Sequence, residues 1–368
     1  GRTMTHIQGI KINRKDISQA ENIRFPLPDK AEMADGTVLL KLDVFSLSTN
    51  NITYAVTGNS LNYWGYFPVD EQHSQLPVWG FGQVLASKHP KFKPGDRFYG
   101  YFPMSSHVLV QPDKVNAFGF VDANPKRVSN NPIYNHYMNM QSDVAYRPND
   151  EAMQSLFRPL FITSFLLDDF LNENNNFGAQ QILITSASSK TSYGLASILH
   201  KRKTAGKTDV SIVGMTSDSN TDFVHGLEMY DEVITYDKYD ALDNSKQTVI
   251  IDFTGNQRLL KKIAAHLGAA HAYTSLIGAV QNDQLDDEAG AVKHGKFFFA
   301  PIQAQKCIAR DGHAEFNKQY AETLDAFIQQ AKTWLSMQEV NGVDNVRELY
   351  LQLLSKSPPP EIGYVASI

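Results

Sequence analysis

Cysteine is nearly absent: Cys307 is the single one among 368 residues. One thiol cannot close an intrachain disulfide or build a multi-cysteine zinc or iron–sulfur site, and it fits a reducing cytoplasm. None of the eleven histidines forms a metal-spaced pair, such as two on one helical turn. No apolar run approaches the ~20 residues that span a bilayer, and no signal-peptide core is read near the N-terminus. The expectation is a cytoplasmic protein with no membrane partner. Positive charge is in a slight minority, 34 Lys and Arg against 39 Asp and Glu. The net charge of −5, without a basic stripe, argues against nucleic acid. The one basic cluster, His200-Lys201-Arg202-Lys203, closes a helical pattern, where cations suit a helix C-terminus.

A fourth shortage is local. Gln181 to Leu199 reads QILITSASSKTSYGLASIL. Ile182 to Ile184 is a short apolar run of the kind buried on both faces of a sheet. From Thr191 onward Leu195, Ile198 and Leu199 fall at helical spacing. Strand, turn, helix is the unit that presents a helix N-terminus to phosphate in doubly wound α/β folds. That turn is ordinarily glycine-rich so that backbone can approach a pyrophosphate. Here Ser186, Ser189, Lys190 and Ser192 stand in its place. Their hydroxyls and one ammonium can bind an anion; the alternative is a plain polar turn with a Ser cap. The two glycines of an ATP-binding loop are missing too, which argues against ATP hydrolysis.

Residues 5 to about 115 read as β-rich, with strands at Thr37–Phe45, Val78–Ala86, Phe98–Phe102 and His107–Gln111, suggesting a small barrel. Ser46 to Phe67 reads as a loop crowded with Asn, Tyr and Trp, able to line a pocket or cover a core rim. Residues 116–157 show no period and are expected to be irregular. A helix is expected over Ile162–Leu171, with Asp168-Asp169 solvated or capping. Beyond the turn, strands alternate with helices: Asp209–Gly214, Phe223–Met229, Glu232–Ile234, Thr248–Phe253, Gln257–Leu267 and His271–Ile277. That alternation implies a parallel sheet. A long helix over Glu315–Leu335, another over Val346–Leu354 and a strand over Ile362–Ile368 close the chain.

This order resembles the medium-chain dehydrogenase/reductase superfamily, in particular its zinc-free quinone and enoyl reductase branch. Val38 to Gly58 looks like its first strand and substrate loop, and Lys93 to Gly100 (KPGDRFYG) like its Gly-Asp-Arg turn. Thr163-Ser164 stands where these enzymes carry a Thr-Ala pair near the nicotinamide. Ile182–Leu199, Ser211–Tyr236, Ile250–Gly255 (IIDFTG) and Leu276-Ile277-Gly278 match the nucleotide domain in order. Within the superfamily it looks closest to an uncharacterised bacterial family sharing RPLF.TSF and SASSKT stretches. The resemblance implies a fold of a GroES-like β-barrel domain plus a Rossmann-type doubly wound parallel sheet. Its implied divisions are 1–157 (with 116–157 an irregular extension), 158–306, and a return over 307–368; a homodimer would pair through the sheet edge near Tyr273–Gly278.

The zinc enzymes' loop Cys and Gly-His-Glu run correspond here to Ser46, Ser48, Thr49 and to Pro77-Val78-Trp79, so no metal is expected. The second strand ends in Thr216-Ser217 without a carboxylate, which favours NADP over NAD. Cofactor contacts are expected from Thr163, Ser186, Ser188, Ser189, Lys190, Thr191, Thr216, Ser217, Gly255, Ile277 and Gly278. Tyr54 is the first candidate to polarise the carbonyl or protonate the carbanion, with Asn50, Asn51 and Thr53 as alternatives for carbonyl hydrogen bonding; the other reading of Tyr54 is a rim aromatic with its hydroxyl in water. Asn50, Tyr63 and Trp64 would meet a small-molecule substrate. The function implied is reduction of an enoyl or carbonyl compound. Two alternatives stay open: a ligand-binding protein that has lost hydride chemistry, or a lyase or hydrolase on the same scaffold.

Overall fold

In the computed structural model, residues 5–127, 132–277 and 295–368 are described. Chain contacts divide it into a first unit, Gly1–Leu156 with Leu335–Ile368, and a second, Phe157–Trp334.

In the first unit β1 (His6–Asn13) and β2 (Ala20–Pro26) form an antiparallel hairpin extended by β4 (His73–Ser74). The larger sheet is built around β3 (Val38–Ser46), β5 (Pro77–Ser87) and β6 (Arg97–Pro103), with β7 (His107–Val110) also on β3. Gly80 and Gly82 let β5 lie close on β3: a Cβ at either would meet the Val44 or Lys41 carbonyl at 2.3 and 2.7 Å. The stretch 116–157 is not irregular. β8 (Pro112–Asn116), β9 (Gly119–Asp122) and β10 (His136–Asn139) continue the sheet beyond β6. Their short length hid their alternation.

Ser46–Phe67 is likewise not all loop. α1 (Thr49–Val56) starts on a reciprocal cap: Ser48 Oγ accepts from Asn50 N, and Asn51 Oδ1 accepts from Ser48 N at 2.9 Å. Asn at N3 replaces the usual Glu or Gln of that motif, so the signal was easy to pass over.

α2 (Glu151–Glu173) begins eleven residues before the expected start, because Pro159 sits inside it rather than ahead of it. Proline cannot donate to the Ser155 carbonyl, which accepts instead from Ser46 Oγ at 2.8 Å. Asp168 and Asp169 are not solvated. Asp168 takes a two-pronged bond from Arg202 (2.8 and 2.7 Å), and Asp169 accepts from Arg310, Gln303 and the Cys307 thiol. Adjacent helix positions do point apart, and each holds a different neighbouring helix. The basic cluster is also more specific than a dipole match, since Arg202 and Lys203 pair with Asp168 and Asp231.

The second unit holds a parallel sheet of β11 (Gln181–Ile184), β12 (Ser211–Thr216), β13 (Glu232–Thr235), β14 (Thr248–Asp252), β15 (His271–Leu276) and β16 (Gly295–Phe297). Its order, β13-β12-β11-β14-β15-β16, reverses direction between β11 and β14. Ligands of such sheets bind outside the strand ends at that reversal. Between the strands run α3 (Lys190–Thr204), α4 (Thr221–Gly226) and α5 (Gln257–Leu267). Leu183, Val213, Ile250, Leu260 and Ile263 join one core; each such side chain contributes roughly 1.5–3 kcal/mol.

The edge expected near Tyr273–Gly278 is not an edge as far as β15 goes, because β16 pairs with it; Gly278 lies outside the described residues. The expected helix over Glu315–Leu335 is one helix, α7 (His313–Ala331), which starts two residues earlier and ends four earlier; α6 (Ala300–Asp311), not read from the sequence, precedes it across Gly312. β17 (Ser336–Asn341), α8 (Val343–Ser355) and β18 (Ile362–Ser367) return to the first unit, β18 pairing with β3. Among the described residues no helix is long and apolar enough to cross a membrane.

Candidate functional site

The turn between β11 and α3 keeps glycine's geometry without glycine. Ser186 has a φ of 49°, in the left-handed region that a glycine would occupy freely. Two tyrosines fasten it: Ser186 N–H donates to Tyr236 Oη at 3.0 Å, and Tyr230 Oη donates to the Ala187 carbonyl at 2.9 Å. Ser186→Gly should therefore raise stability by about 0.5–1 kcal/mol in a urea titration, the strain being removed. A loss instead would mean that the hydroxyl, not the backbone, holds the turn.

Ser189 is the N-cap of α3 but does not cap it. Ser192 Oγ donates to the Thr185 carbonyl at 3.0 Å, so in the 2.7 Å pair between the two hydroxyls Ser189 is the donor. The first N–H groups of α3, those of Lys190, Thr191 and Ser192, meet no acceptor among the described residues. Lys190 begins the helix, half-buried and without an ion-pair partner among the described residues. Burial pushes its pKa down to about 8. Open N–H groups, a helix dipole and a desolvated ammonium together form an anion-binding arrangement.

Other expected cofactor residues gather at the same strand ends. Ser188 Oγ accepts from Asn220 Nδ2 at 3.2 Å, joining the turn to the segment after Thr216 and Ser217. Thr216 is buried and Ser217 partly exposed. Asp252, fully buried at the end of β14, is a residue the sequence reading passed over. It accepts from Thr185 Oγ1 (2.9 Å), Thr254 Oγ1 (2.7 Å) and Gly255 N (2.9 Å), while its carbonyl accepts from Ile277 N (2.9 Å). A carboxylate ending the run TVIID was the signal. Gly255, Ile277 and Thr185, next after β11, are thus tied around one residue. Thr163 lies half-buried on α2; its neighbour Ser164 donates to the Thr191 carbonyl at 2.7 Å.

The first unit holds a largely buried aromatic cluster. Tyr54, on α1, is buried, and its Oη accepts from Asn50 Nδ2 at 3.1 Å and from Trp79 Nε1 at 3.0 Å. Burial pushes its pKa up to about 12, the Trp79 bond opposing. Around it Tyr63, Tyr101, Tyr66, Tyr134 and Trp79 pack ring to ring, with Tyr54–Tyr63 centroids 4.6 Å apart. Burial raises the pKa values of Tyr63, Tyr101 and Tyr134 as well. Arg127, paired with Asp122, donates to the Tyr101 and Tyr134 carbonyls behind this cluster.

Two expected residues take other parts. Asn51 is buried with both amide atoms engaged, Oδ1 in the α1 cap and Nδ2 donating to the Pro77 carbonyl at 3.1 Å. That fits a clamp, with one amide N–H left uncommitted among the described residues. Trp64 is a core residue, packed beneath Gly58 with 3% of its surface exposed, not a pocket wall. Among the described residues no three His, Cys, Asp or Glu side chains gather as a metal-binding group.

Comparison with solved structures places this architecture. The chain is similar to CurA from Vibrio vulnificus in complex with NADPH (TM-score 0.59, 13% identity, 98% of each chain covered). It is also similar to a mutant form of the enoyl thioester reductase from Candida tropicalis (0.58, 13%, 99% of this chain and 100% of that). A third is the quinone oxidoreductase from Coxiella burnetii (0.56, 12%, 99% of each). At such identities the likeness is one of fold, a GroES-like domain with a Rossmann-type domain. No curated protein matches the sequence. The family described as "Protein of unknown function (DUF2855)" matches residues 45–358, and the chain belongs to that family.

Proposed function

We propose that this protein is an NADP-dependent, zinc-independent oxidoreductase that reduces an enoyl or carbonyl group of a small molecule. The observation that carries the reading is the uncapped start of α3 with Lys190, unpaired among the described residues, beside it. That arrangement fits a dinucleotide's phosphates, with hydroxyls and an amine doing what bare glycine backbone does elsewhere. The absence of a carboxylate at Thr216-Ser217, Asp218 falling in the exposed turn beyond, supports a 2′-phosphate over a free ribose hydroxyl. Bound there, NADPH supplies a hydride.

Tyr54 supplies the proton. Reduction of a conjugated carbonyl adds hydride at the β-carbon, and the electron pair that moves to the oxygen needs a donor to meet it. The Tyr54 phenol donates its O–H to that oxygen and passes the proton on, recovering one from water. One hydride and one proton are consumed for each double bond reduced. Asn50 and Trp79 stabilise the phenolate formed in between, since both already donate to its oxygen. The surrounding rings form an apolar wall that suits a flat, apolar substrate.

The test is NADPH oxidation at 340 nm (from the nicotinamide absorbance) with 1,4-benzoquinone and trans-2-hexenal as probes. Turnover of at least one supports the reading. NADPH binding without turnover of either would favour a ligand-binding protein on the same scaffold.

A further inference from the structure

We infer that Trp79 is a positioning residue, its indole N–H fixing the direction in which the Tyr54 hydroxyl gives up its proton. This rests on the reductase reading for its consequence, though not for its geometry.

A phenol oxygen has two acceptor positions and one hydrogen to give. Both acceptor positions on Tyr54 are taken, by Asn50 Nδ2 at 3.1 Å and Trp79 Nε1 at 3.0 Å. An indole N–H donates and cannot accept, so the phenol proton has no way back toward Trp79. The Asn50 amide, with its NH2 turned to the phenol, offers no acceptor there either. No acceptor for the Tyr54 hydroxyl is found among the described residues. Its hydrogen is left to the third direction, away from both donors.

Of the two donors Trp79 is the better fixed. Asn50 is a partly exposed side chain on the first turn of α1. Trp79 is the third residue of β5, paired in register with Tyr101 on β6. Its ring stacks on Tyr99 (centroids 5.6 Å, planes 15° apart) and lies 4.8 Å from Tyr101. A ring held on two sides aims its N–H by packing, and the aim is transmitted to the phenol. Without it, one acceptor position of Tyr54 opens and the hydroxyl can rotate among several partners. That loss would act on the proton-transfer step and not on binding.

The experiment has a spectroscopic and a kinetic arm, both on the full chain. With 15N-labelled tryptophan the three indoles give three N–H signals, and Trp79→Phe assigns one. In Tyr54→Phe that signal should move upfield and exchange faster with solvent, while the other two stay in place. In the kinetic arm, with NADPH and whichever of 1,4-benzoquinone or trans-2-hexenal is reduced, Trp79→Phe should lower kcat about tenfold and leave KM unchanged. The double variant with Tyr54→Phe should be no slower than Tyr54→Phe alone. An unmoved Trp79 signal, an additive double variant, or a change confined to KM would overturn the proposal. Absence of turnover in the unaltered protein would instead refute the reductase reading, and the spectroscopic arm would then decide the geometry alone.

Discussion

Tyr54→Phe is expected to lower kcat by about 10²–10⁴-fold, the range for loss of a positioned proton donor, while NADPH binds as before. The substitution removes one oxygen from a site whose rings stay packed, Tyr63 at 4.6 Å and Tyr101 at 5.7 Å remaining as neighbours. Binding and chemistry are thereby separated: a fall in kcat with unchanged KM identifies an interaction made only in the transition state. The pH dependence follows from burial. The Tyr54 pKa is pushed up to about 12, so the phenol stays protonated at neutral and moderately alkaline pH and can donate throughout. A rate that falls on the alkaline side well below that value must come from another group. Full activity in the variant would remove Tyr54 from the mechanism.

Lys190→Ala is expected to weaken NADPH binding by about 10–100-fold, the value of one or two charge-assisted bonds to phosphate. NADH should lose less if the ammonium serves the 2′-phosphate, and equal losses would assign Lys190 to the diphosphate that both share. The same residue predicts a pH effect. Burial lowers its pKa to about 8 from an ordinary value of 10.5, so the amine loses its charge within the accessible range. NADPH affinity should therefore decline as pH rises through about 8, approaching tenfold per unit, and Lys190→Ala should flatten that slope. The stability of the cofactor-free protein should run the opposite way. Between about pH 8 and 10.5 the unfolded chain holds the proton that the folded chain has given up. Stability then rises across that window, and the variant lacks the rise.

The alternation of strands and helices after residue 180 was legible because buried parallel strands such as Ile182–Ile184 and Val249–Ile251 are nearly pure apolar runs. Gln257–Leu267 was read to its ends, having an Asn cap in front and Gly268 behind. Short strands with one exposed face were not. β9 and β10 are four residues each, too brief to show a period of two. Pro159 misled because a proline inside a helix looks like a boundary until a partner such as Ser46 takes up the freed carbonyl.

The site was legible where residue type alone states the chemistry, and illegible where tertiary contact decides it. The SASSKT turn and Lys190 announce themselves. Nothing in the sequence says that Ser189 leaves α3 uncapped, that Tyr236 reaches Ser186, or that Asn51 spends its amide on a cap. Trp79 was noticed only as a departure from a metal-binding run. Its bond to Tyr54 joins residues 25 apart in the chain, and only packing reveals it.

Calorimetric titration of the purified protein with NADPH, then NADH, then ATP, tests most directly whether hydroxyls and one amine can stand in for a glycine turn. The account predicts saturable binding of NADPH, weaker binding of NADH, none of ATP, and a weakened NADPH isotherm for Lys190→Ala. No heat and no saturation with NADPH, or an isotherm indifferent to Lys190, would contradict it.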